Sequence, residues 1–273
     1  MSGLLRPLIA GPARHVLRLL RDPEYRTLAR LETTLGGRPR FRPCRARVHG
    51  WALEIPDSAS FLSSYREIFV EGLYAFPWPE RPLRILDLGA NIGLSVLYFK
   101  RSHPQAEIVV LEADPGIFGC LERNVHGNGF RDVELLQRAA WNENTRLTFR
   151  RDGADGGRAV ATGGGQGTTE VEAIDIAAFA GQHSFDVIKM DIEGAESVVL
   201  PALGPVLGRV RYLMLEYHSV AGRPQSLAAV LQVLEGCGFR VHAHSVVSSP
   251  RPFVELRPHD GYDLVLHLFA WRP

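Results

Sequence analysis

The chain has 273 residues, a length that fits one large α/β domain or one domain with an appendage. Hydrophobic residues make up 45% of it and charged residues 22%, which argues against a disordered or fibrous protein. The net charge of +1 gives no overall field to attract nucleic acid or an anionic membrane. The three cysteines, Cys44, Cys120 and Cys237, are too far apart for a zinc knuckle and odd in number, so we expect a cytoplasmic protein without disulfides.

The first sixty residues differ from the rest because arginine clearly outnumbers aspartate and glutamate there. Leucines and valines at helical spacing predict one or two amphipathic helices over 13–35, and packing on the protein itself is favoured over a membrane surface. Short apolar runs with glycine and proline predict a hairpin over 40–56, and a helical pattern returns over 61–76. Nothing in the sequence is long and apolar enough to predict a signal peptide or a transmembrane segment.

Beyond the proline-rich segment 77–82, predicted strands and helices alternate regularly. Several strands are apolar on both faces, which indicates a buried parallel sheet with helices on either side, as in Rossmann-like α/β proteins. The last two strands lack an intervening helix, so we expect them to form an antiparallel hairpin. The predicted strands are 84–88, 107–112, 132–137, 145–150, 168–173, 186–191, 210–217, 239–247 and 263–271, and the helices are 93–102, 115–127, 174–180, 195–207 and 225–236.

A glycine loop follows the first of these strands, with Gly89, Asn91 and Gly93 leading into a helix. Such a loop allows a ligand to approach backbone amides closely. A dinucleotide-binding loop would usually have glycine where Asn91 stands. The carboxylate of Asp87 would repel a pyrophosphate but suit the ammonium group of an amino acid, which points to S-adenosylmethionine rather than NAD.

An acidic residue, Glu112, ends the next strand, where a carboxylate can accept hydrogen bonds from both hydroxyls of a ribose. The segment after the third strand carries Ala140 and Trp141, which we expect to flank the adenine. Trp141 fits ordinary packing equally well.

Polar side chains also follow two later strands, at the sheet edge where ligands of open α/β folds bind. Asp191 and Glu193 follow one strand, and Glu196 fits a helix start through its interaction with the helix dipole. His218 ends the next strand, and its imidazole could take a hydroxyl proton near neutral pH. Asp191, Glu193 and His218 are therefore the candidate catalytic residues.

With these motifs in view, the sequence resembles the FkbM family of methyltransferases, and the similarity runs from about residue 55 to 220. The motifs that carry it are Asp87-Leu-Gly-Ala-Asn-Ile-Gly93, Glu112-Ala-Asp-Pro115 and Lys189-Met-Asp-Ile-Glu-Gly-Ala-Glu196. The resemblance implies a class I methyltransferase fold, with a mostly parallel seven-stranded sheet over 61–273 and a helical and hairpin extension over 1–60. It further implies methylation of a hydroxyl on a small molecule or sugar, as in natural-product tailoring or glycan decoration.

Matching motif positions imply which residues serve the cofactor and which lie near the transferred methyl group. The predicted cofactor-binding residues are Asp87, Gly89, Asn91, Gly93, Glu112, Ala140 and Asp191. Asp191 and Glu193 are expected near the methyl group, and the glycine-rich segment 152–167 matches no family residue and is a candidate lid.

The expected reaction is in-line attack of a substrate oxygen on the sulfonium methyl group. His218 is the first choice of base, followed by Asp191 or Glu193. In another version of this mechanism, Asp191, Glu193, Glu216 or His218 hold a divalent metal, for which magnesium is the best candidate. The version without metal is favoured, because hydrogen bonds can neutralise an acid without an ion.

Three other functions remain as alternatives. The main one is a non-catalytic S-adenosylmethionine-binding sensor or assembly protein, and another is an NAD-dependent oxidoreductase, which Asn91 and Asp87 disfavour. Methylation of nucleic acid is disfavoured by the absence of a compact basic and aromatic patch. The identity of the acceptor and the oligomeric state are not encoded in these motifs.

Overall fold

A computed structural model describes residues 15–77, 79–150, 156–159, 167–246, 251, 253–255, 258 and 260–272. The chain divides into two compact units, Met1–Phe76 and Pro77–Pro273. The sequence places the boundary at residue 60, whereas the first unit continues through a further helical segment that contributes to its own buried core.

The first unit combines helices with a two-stranded hairpin. Its elements are α1 (15–21), α2 (Pro23–Leu35), β1 (Cys44–Val48), β2 (Trp51–Ile55), α3 (Ser58–Tyr65) and a π-helical turn, Arg66–Val70. Asp22 and Asp57 cap α2 and α3 by accepting hydrogen bonds from backbone N–H groups of the first turn. His49 and Gly50 both have positive φ, as a tight two-residue turn between antiparallel strands requires. The predicted helices and hairpin are thus present.

The second unit contains the predicted seven-stranded sheet, and its strand order is β12-β13-β11-β10-β3-β4-β5. All neighbours are parallel except β13, which runs antiparallel to both β11 and β12. The central strands are buried on both faces, as their continuous apolar sequences predict. The strands are β3 (Arg84–Leu88), β4 (Glu107–Leu111), β5 (Glu134–Leu136), β10 (Val187–Met190), β11 (Tyr212–Val220), β12 (Arg240–Ser245) and β13 (Tyr262–Trp271).

Helices connect the parallel strands, and most begin at an aspartate cap or a glycine turn. Asp114 caps α5 and Asp175 caps α6. The helix predicted over 195–207 ends earlier, at Leu203, because Gly204 follows it as the cap and Pro205 has no backbone N–H with which to continue the helix. The helices are α4 (Leu94–Ser102), α5 (Pro115–Val125), α6 (Ile176–Gly181), α7 (Glu196–Leu203) and α8 (Leu227–Gly236), with single 3₁₀ turns at His126–Asn128 and Leu207–Arg209.

Two further predicted strands do not join the large sheet. Together with the short strands β6 and β8, they form a separate four-stranded sheet of order β6-β9-β7-β8, in which β7 and β9 are antiparallel. Its core contains Ala139, Phe149, Val171 and Ala173. The strands are β6 (Ala139–Trp141), β7 (Thr145–Arg150), β8 (Arg158–Ala159) and β9 (Thr168–Asp175). Most of the predicted lid 152–167 lies outside the described residues.

Parallel pairing brings the carboxyl ends of β3, β4, β10 and β11 to one edge of the sheet. Lys189 on β10 lies opposite Asp87 on β3, and Met190 lies opposite both Leu88 and Leu215. The side chains that follow these strands therefore meet at the edge where open α/β folds bind ligands. None of the helices in the described part of the chain has the length and apolarity that a membrane crossing needs.

Candidate active site

The glycine loop between β3 and α4 is built for close packing. Gly89 has a φ of +77°, and a Cβ there would lie 1.8 Å from the carbonyl oxygen of Asp191. A Cβ on Gly93, whose φ is +93°, would lie 2.9 Å from side-chain atoms of Leu121 and Val125. Both positions therefore require glycine for packing within the protein, whatever the loop binds.

The middle residue of the loop, Asn91, also has a positive φ, which asparagine tolerates better than most residues. Its side-chain oxygen accepts a hydrogen bond of 2.6 Å from the backbone N–H of Ile92. Its own backbone N–H donates to Glu112 Oε2 at 2.9 Å. The loop and the end of β4 are thus joined through a single carboxylate.

The carboxylate of Glu112 is almost completely buried, and both of its oxygens accept backbone hydrogen bonds. Oε2 accepts from Asn91, and Oε1 accepts from the N–H of Asp114 at 2.9 Å. Burial raises the pKa of Glu112 to about 7, against the lowering effect of these two amides. Each oxygen retains a further lone pair, so the group can still accept hydrogen bonds from a ligand.

The carboxylate of Asp87 lies beneath the loop and is fully buried. Ser95 Oγ donates a 2.5 Å hydrogen bond to Asp87 Oδ2, and Lys189 Nζ lies 3.4 Å from Oδ1. The sequence predicts that Asp87 meets the ammonium group of a cofactor. In the structure, Asp87 contacts Ser95 and Lys189 beneath the loop, and its contact with a cofactor stays a prediction.

Lys189 connects the loop to the second group of acids. Its ammonium group donates to the carbonyl oxygen of Gly89 and lies 3.6 Å from Asp191 Oδ2. Since the Lys189 side chain is only 4% exposed, these contacts replace water around its charge. Lys189 stands two residues before Asp191 in the motif, but the sequence alone does not show that it bridges the two halves of the site.

The acids beyond β10 and β11 surround one histidine. Asp191, Glu193, Glu196 and Glu216, together with His218, are called the acidic cluster below. Asp191, Glu193 and Glu196 lie between the end of β10 and the start of α7, and the other two lie on β11. The structure therefore brings the three predicted catalytic residues together and adds two further acids.

Glu196 holds the ring of His218 in place. Its Oε1 lies 3.2 Å from His218 Nδ1, and its carboxylate accepts hydrogen bonds from the backbone N–H groups of Ile192 and Gly194. Glu196 is fully buried, so these contacts are shielded from water. Burial alone would lower the pKa of His218, but the charge of Glu196 and contacts with the other acids raise it well above its usual value.

The remaining acids of the cluster differ in their surroundings. Glu193 accepts a 2.8 Å hydrogen bond from the hydroxyl of Tyr262, and burial raises its pKa to about 8. Loss of water and the charge of Glu216 raise the pKa of Asp191 to about 6. Burial alone would raise the pKa of Glu216, but its contacts with His218 and His267 have the larger effect and lower that pKa.

The members of the acidic cluster differ in how far an acceptor molecule can reach them. The side chain of Asp191 is 28% exposed, that of Glu216 is 21% and that of Glu193 is 16%. The side chain of His218 is only 3% exposed, and both of its ring nitrogens face carboxylates. Asp191 is therefore the best placed of the predicted catalytic residues to meet an acceptor.

Three side chains of the cluster also have the spacing of metal ligands. One donor atom from each of Asp191, Glu193 and His218 lies within 4.8 Å of the other two. Two carboxylates and one imidazole form a donor set that suits divalent cations.

Ala140 lies on β6, after β5, and is 6% exposed within the main core. Trp141 is partly buried against the same core. These positions agree with packing residues, and contact with an adenine stays a prediction.

Tyr262, which no sequence motif indicates, contacts two members of the acidic cluster. Its hydroxyl bonds to Glu193, and its ring centroid lies 4.8 Å from that of His218. Arg158 lies on the other side, with its guanidinium carbon 5.3 Å from the Tyr262 ring centroid. No motif surrounds Tyr262, and the antiparallel return of β13 alone brings it to the site.

The strand order, with β13 inserted antiparallel between β11 and β12, and the ligand edge beyond β3 and β4 define a class I methyltransferase fold. A family model described as the Methyltransferase FkbM domain matches residues 87–241, which is more than half of the chain. The chain therefore belongs to the FkbM methyltransferase family, as its motifs predict.

Several curated proteins are similar to this chain. Methyltransferase sdnD of Sordaria araneosa is 45% identical over 75 residues, covering 27% of this chain and 29% of sdnD. The 31-O-demethyl-FK506 methyltransferase FkbM of Streptomyces tacrolimicus is 28% identical over 223 residues, covering 68% of this chain and 83% of that protein. The 2-O-methyltransferase NoeI of Sinorhizobium fredii (strain NBRC 101917 / NGR234) is 27% identical over 153 residues, covering 49% of this chain and 62% of NoeI. The match thus spans less than a third of the length of sdnD.

Proposed function

We propose that the chain is an S-adenosylmethionine-dependent O-methyltransferase that acts on a hydroxyl group of a small molecule or sugar. The observation that carries this proposal is the arrangement at the sheet edge. Glu112 stands beside the glycine loop, the acidic cluster stands beyond the neighbouring strands, and Lys189 contacts both the loop and Asp191. The glycine loop and Glu112 suit a nucleoside, and the acidic cluster suits the reacting groups.

Two relatives support oxygen as the atom that is methylated. The printed names of the Streptomyces tacrolimicus and Sinorhizobium fredii proteins both describe O-methyltransferases. Their identities to this chain are below 30%, so they support the reaction type more than any particular acceptor.

The cofactor residues fall into two roles in this proposal. Glu112 accepts the ribose hydroxyls, while Gly89, Asn91 and Gly93 set the shape of the loop. Asp87 acts indirectly by fixing Lys189 and Ser95. The bound cofactor would supply a methyl group on a cationic sulfonium, a charge that the acidic cluster favours.

The hydroxyl proton passes to Asp191 in this proposal. A general base must come within hydrogen-bond reach of the proton that it removes, and Asp191 is the most exposed of the three predicted candidates. His218 instead positions the carboxylates around it, because its ring is enclosed by Glu196, Glu193 and Glu216.

Calorimetric titration of S-adenosylhomocysteine and, separately, NAD tests the proposed cofactor. Wild-type protein should bind the thioether nucleoside and not NAD, and Glu112→Ala should bind it at least about tenfold more weakly, because hydrogen bonds to a charged group are lost. A Glu134→Ala variant, whose exposed side chain lies on β5, is the matched control. Binding of NAD alone would overturn the proposal.

A screen of hydroxyl acceptors with radiolabelled S-adenosylmethionine tests the activity. Transfer of label to an oxygen would support the proposed reaction. Tight cofactor binding without transfer to any acceptor would favour the non-catalytic sensor instead.

A further inference from the structure

We infer that Asp191, Glu193 and His218 bind a divalent cation, and that Glu196 orients the histidine ligand. This inference rests on the proposed function, since it assigns a metal to the same site. It reverses the preference for a metal-free site that the sequence alone supports.

The spacing of acceptor atoms around His218 Nε2 supports a bound ion. This nitrogen lies 3.6 Å from Glu193 Oε2 and 3.4 Å from Glu216 Oε1. Both separations exceed those of a good N–H···O hydrogen bond, which is about 2.7–3.2 Å. Ligand atoms that each lie about 2.0–2.2 Å from one cation are separated from each other by about 3.0–3.6 Å. The distance between Nε2 and Glu193 Oε2 therefore fits two ligands of one ion, and a donor oxygen of Asp191 lies within 4.8 Å of both ligand groups.

Hydrogen-bond partners outside the proposed ion site also hold two of its ligands in place. A metal-binding histidine usually donates its other ring N–H to a carboxylate or carbonyl group. Nδ1 of His218 lies 3.2 Å from the buried Glu196, which two backbone N–H groups hold in place. Tyr262 holds Glu193 in the same way, and His267 Nε2 lies 2.9 Å from Glu216 Oε2.

The charges of the cluster also favour a cation. The cluster gathers four partly or fully buried carboxylates, and the described basic groups that contact them are Lys189, which is shared with Asp87, and the imidazoles of His218 and His267. A histidine that binds an ion through Nε2 is neutral, so its own positive charge no longer balances the carboxylates. A divalent cation among Asp191, Glu193 and Nε2 would supply two positive charges in place of that one.

The donor set indicates the class of cation. Carboxylate oxygens predominate and no cysteine takes part, so magnesium or manganese fits better than zinc. Such an ion would lower the pKa of an acceptor hydroxyl bound to it, which would then release its proton more readily to the exposed oxygen of Asp191.

The test measures Mn²⁺ binding by the full chain after treatment with a chelator, using electron paramagnetic resonance. Wild-type protein should bind one Mn²⁺, Mg²⁺ should displace it, and nitrogen coupling from one histidine should be visible in the spectrum. Glu193→Gln and His218→Gln should each weaken Mn²⁺ binding at least about tenfold, and His218→Gln should abolish the nitrogen coupling. Glu134→Gln is the control and should match wild type.

S-adenosylhomocysteine affinity, measured on the same samples, separates this inference from the proposed function and shows that each variant is folded. Normal nucleoside binding without saturable Mn²⁺ binding would overturn the metal site and leave the proposed function intact. The metal site would also be overturned if Mn²⁺ bound without nitrogen coupling, or if both variants bound Mn²⁺ as tightly as wild-type protein. Mn²⁺ binding without nucleoside binding would contradict the proposed function alone.

Discussion

At the scale of single residues, one carboxylate joins the glycine loop to the start of α5. Glu112 accepts one backbone N–H from Asn91 in the glycine loop and another from Asp114 at the start of α5. A glutamine has only one acceptor oxygen, so it can satisfy one of these amides but not both. The residue thus shapes the loop before any ligand arrives.

We predict that the affinity for S-adenosylhomocysteine increases as pH rises from 6 to 8. The pKa of Glu112 is raised from 4.5 to about 7, so much of the free protein carries a neutral carboxyl at pH 6. Ribose hydroxyls donate more strongly to the carboxylate, so binding favours ionisation and releases a proton. Calorimetry at each pH, in buffers of different ionisation enthalpy, measures both effects.

Glu112→Gln should remove most of this pH dependence and weaken binding at pH 8 by about tenfold or more. The variant also tests stability. Since the pKa of Glu112 in the folded protein lies above its ordinary value, protonation stabilises the fold at low pH, and this contribution is lost as pH rises through about 7. An unchanged pH profile in the variant would exclude Glu112 as the titrating group.

Asp191→Asn should lower turnover by about a hundredfold or more, because it removes the proposed proton acceptor from the site. The affinity for S-adenosylhomocysteine should change less than about tenfold. Steady-state kinetics and calorimetry on the same preparation measure these two quantities. A proportionate loss of both would instead make Asp191 a cofactor-binding residue without a catalytic role.

At the scale of elements, the strand-loop-helix segment from β3 to α4 depends on two glycines that face different neighbours. Gly89 meets the backbone after β10, and Gly93 meets the side chains of α5. The sequence identifies both glycines but associates them with ligand approach. Their packing partners lie far away in the chain, so only the folded arrangement shows them.

Gly89→Ala should destabilise the protein by more than about 3 kcal/mol, because the new Cβ would overlap a backbone carbonyl oxygen and the positive φ adds strain. Gly127→Ala is the matched control, since no atom lies within 4 Å of a Cβ there and its φ is not positive. Thermal unfolding followed by circular dichroism measures both. Similar melting temperatures for the two variants would contradict the packing argument.

The elements also show which parts of the fold the sequence predicts well. Strands such as β3 and β10 are found because continuous apolar runs mark burial on both faces. The small sheet is harder to predict, because the local sequence patterns of β7 and β9 are similar to those of strands in the large sheet. These strands differ only in the strands with which they pair. The position of Tyr262 depends on long-range pairing of β13, which local patterns do not encode.

At the scale of the whole molecule, the chain has two compact units, each with its own buried core. All the predicted cofactor and catalytic residues belong to the second unit. In the first unit, the fully buried Tyr65 donates a 2.7 Å hydrogen bond to Glu24, and its hydroxyl lies 2.9 Å from His49 Nε2. This polar group within an aromatic core offers a way to destabilise the first unit selectively.

Tyr65→Phe should cost about 1–3 kcal/mol of stability, because it removes a hydroxyl from buried polar partners. Tyr25→Phe, which removes an exposed hydrogen bond to His15, should cost less than about 0.5 kcal/mol. Differential scanning calorimetry measures both variants with and without S-adenosylhomocysteine. If Tyr65→Phe is no less stable than Tyr25→Phe, the buried network does not stabilise the first unit.

The insertion of β13 between β11 and β12 has a consequence for how the protein folds during synthesis. The ribosome makes β11 and β12 first, and neither can complete its pairing until β13 has emerged and been threaded between them. Until then, the edge of β11 that will pair with β13 is open along the residues from Tyr212 to Val220, and its unpaired backbone invites association with other chains. The nascent protein should therefore form the glycine loop and Glu112 early and complete the acidic cluster last, so that chaperones are needed late in synthesis.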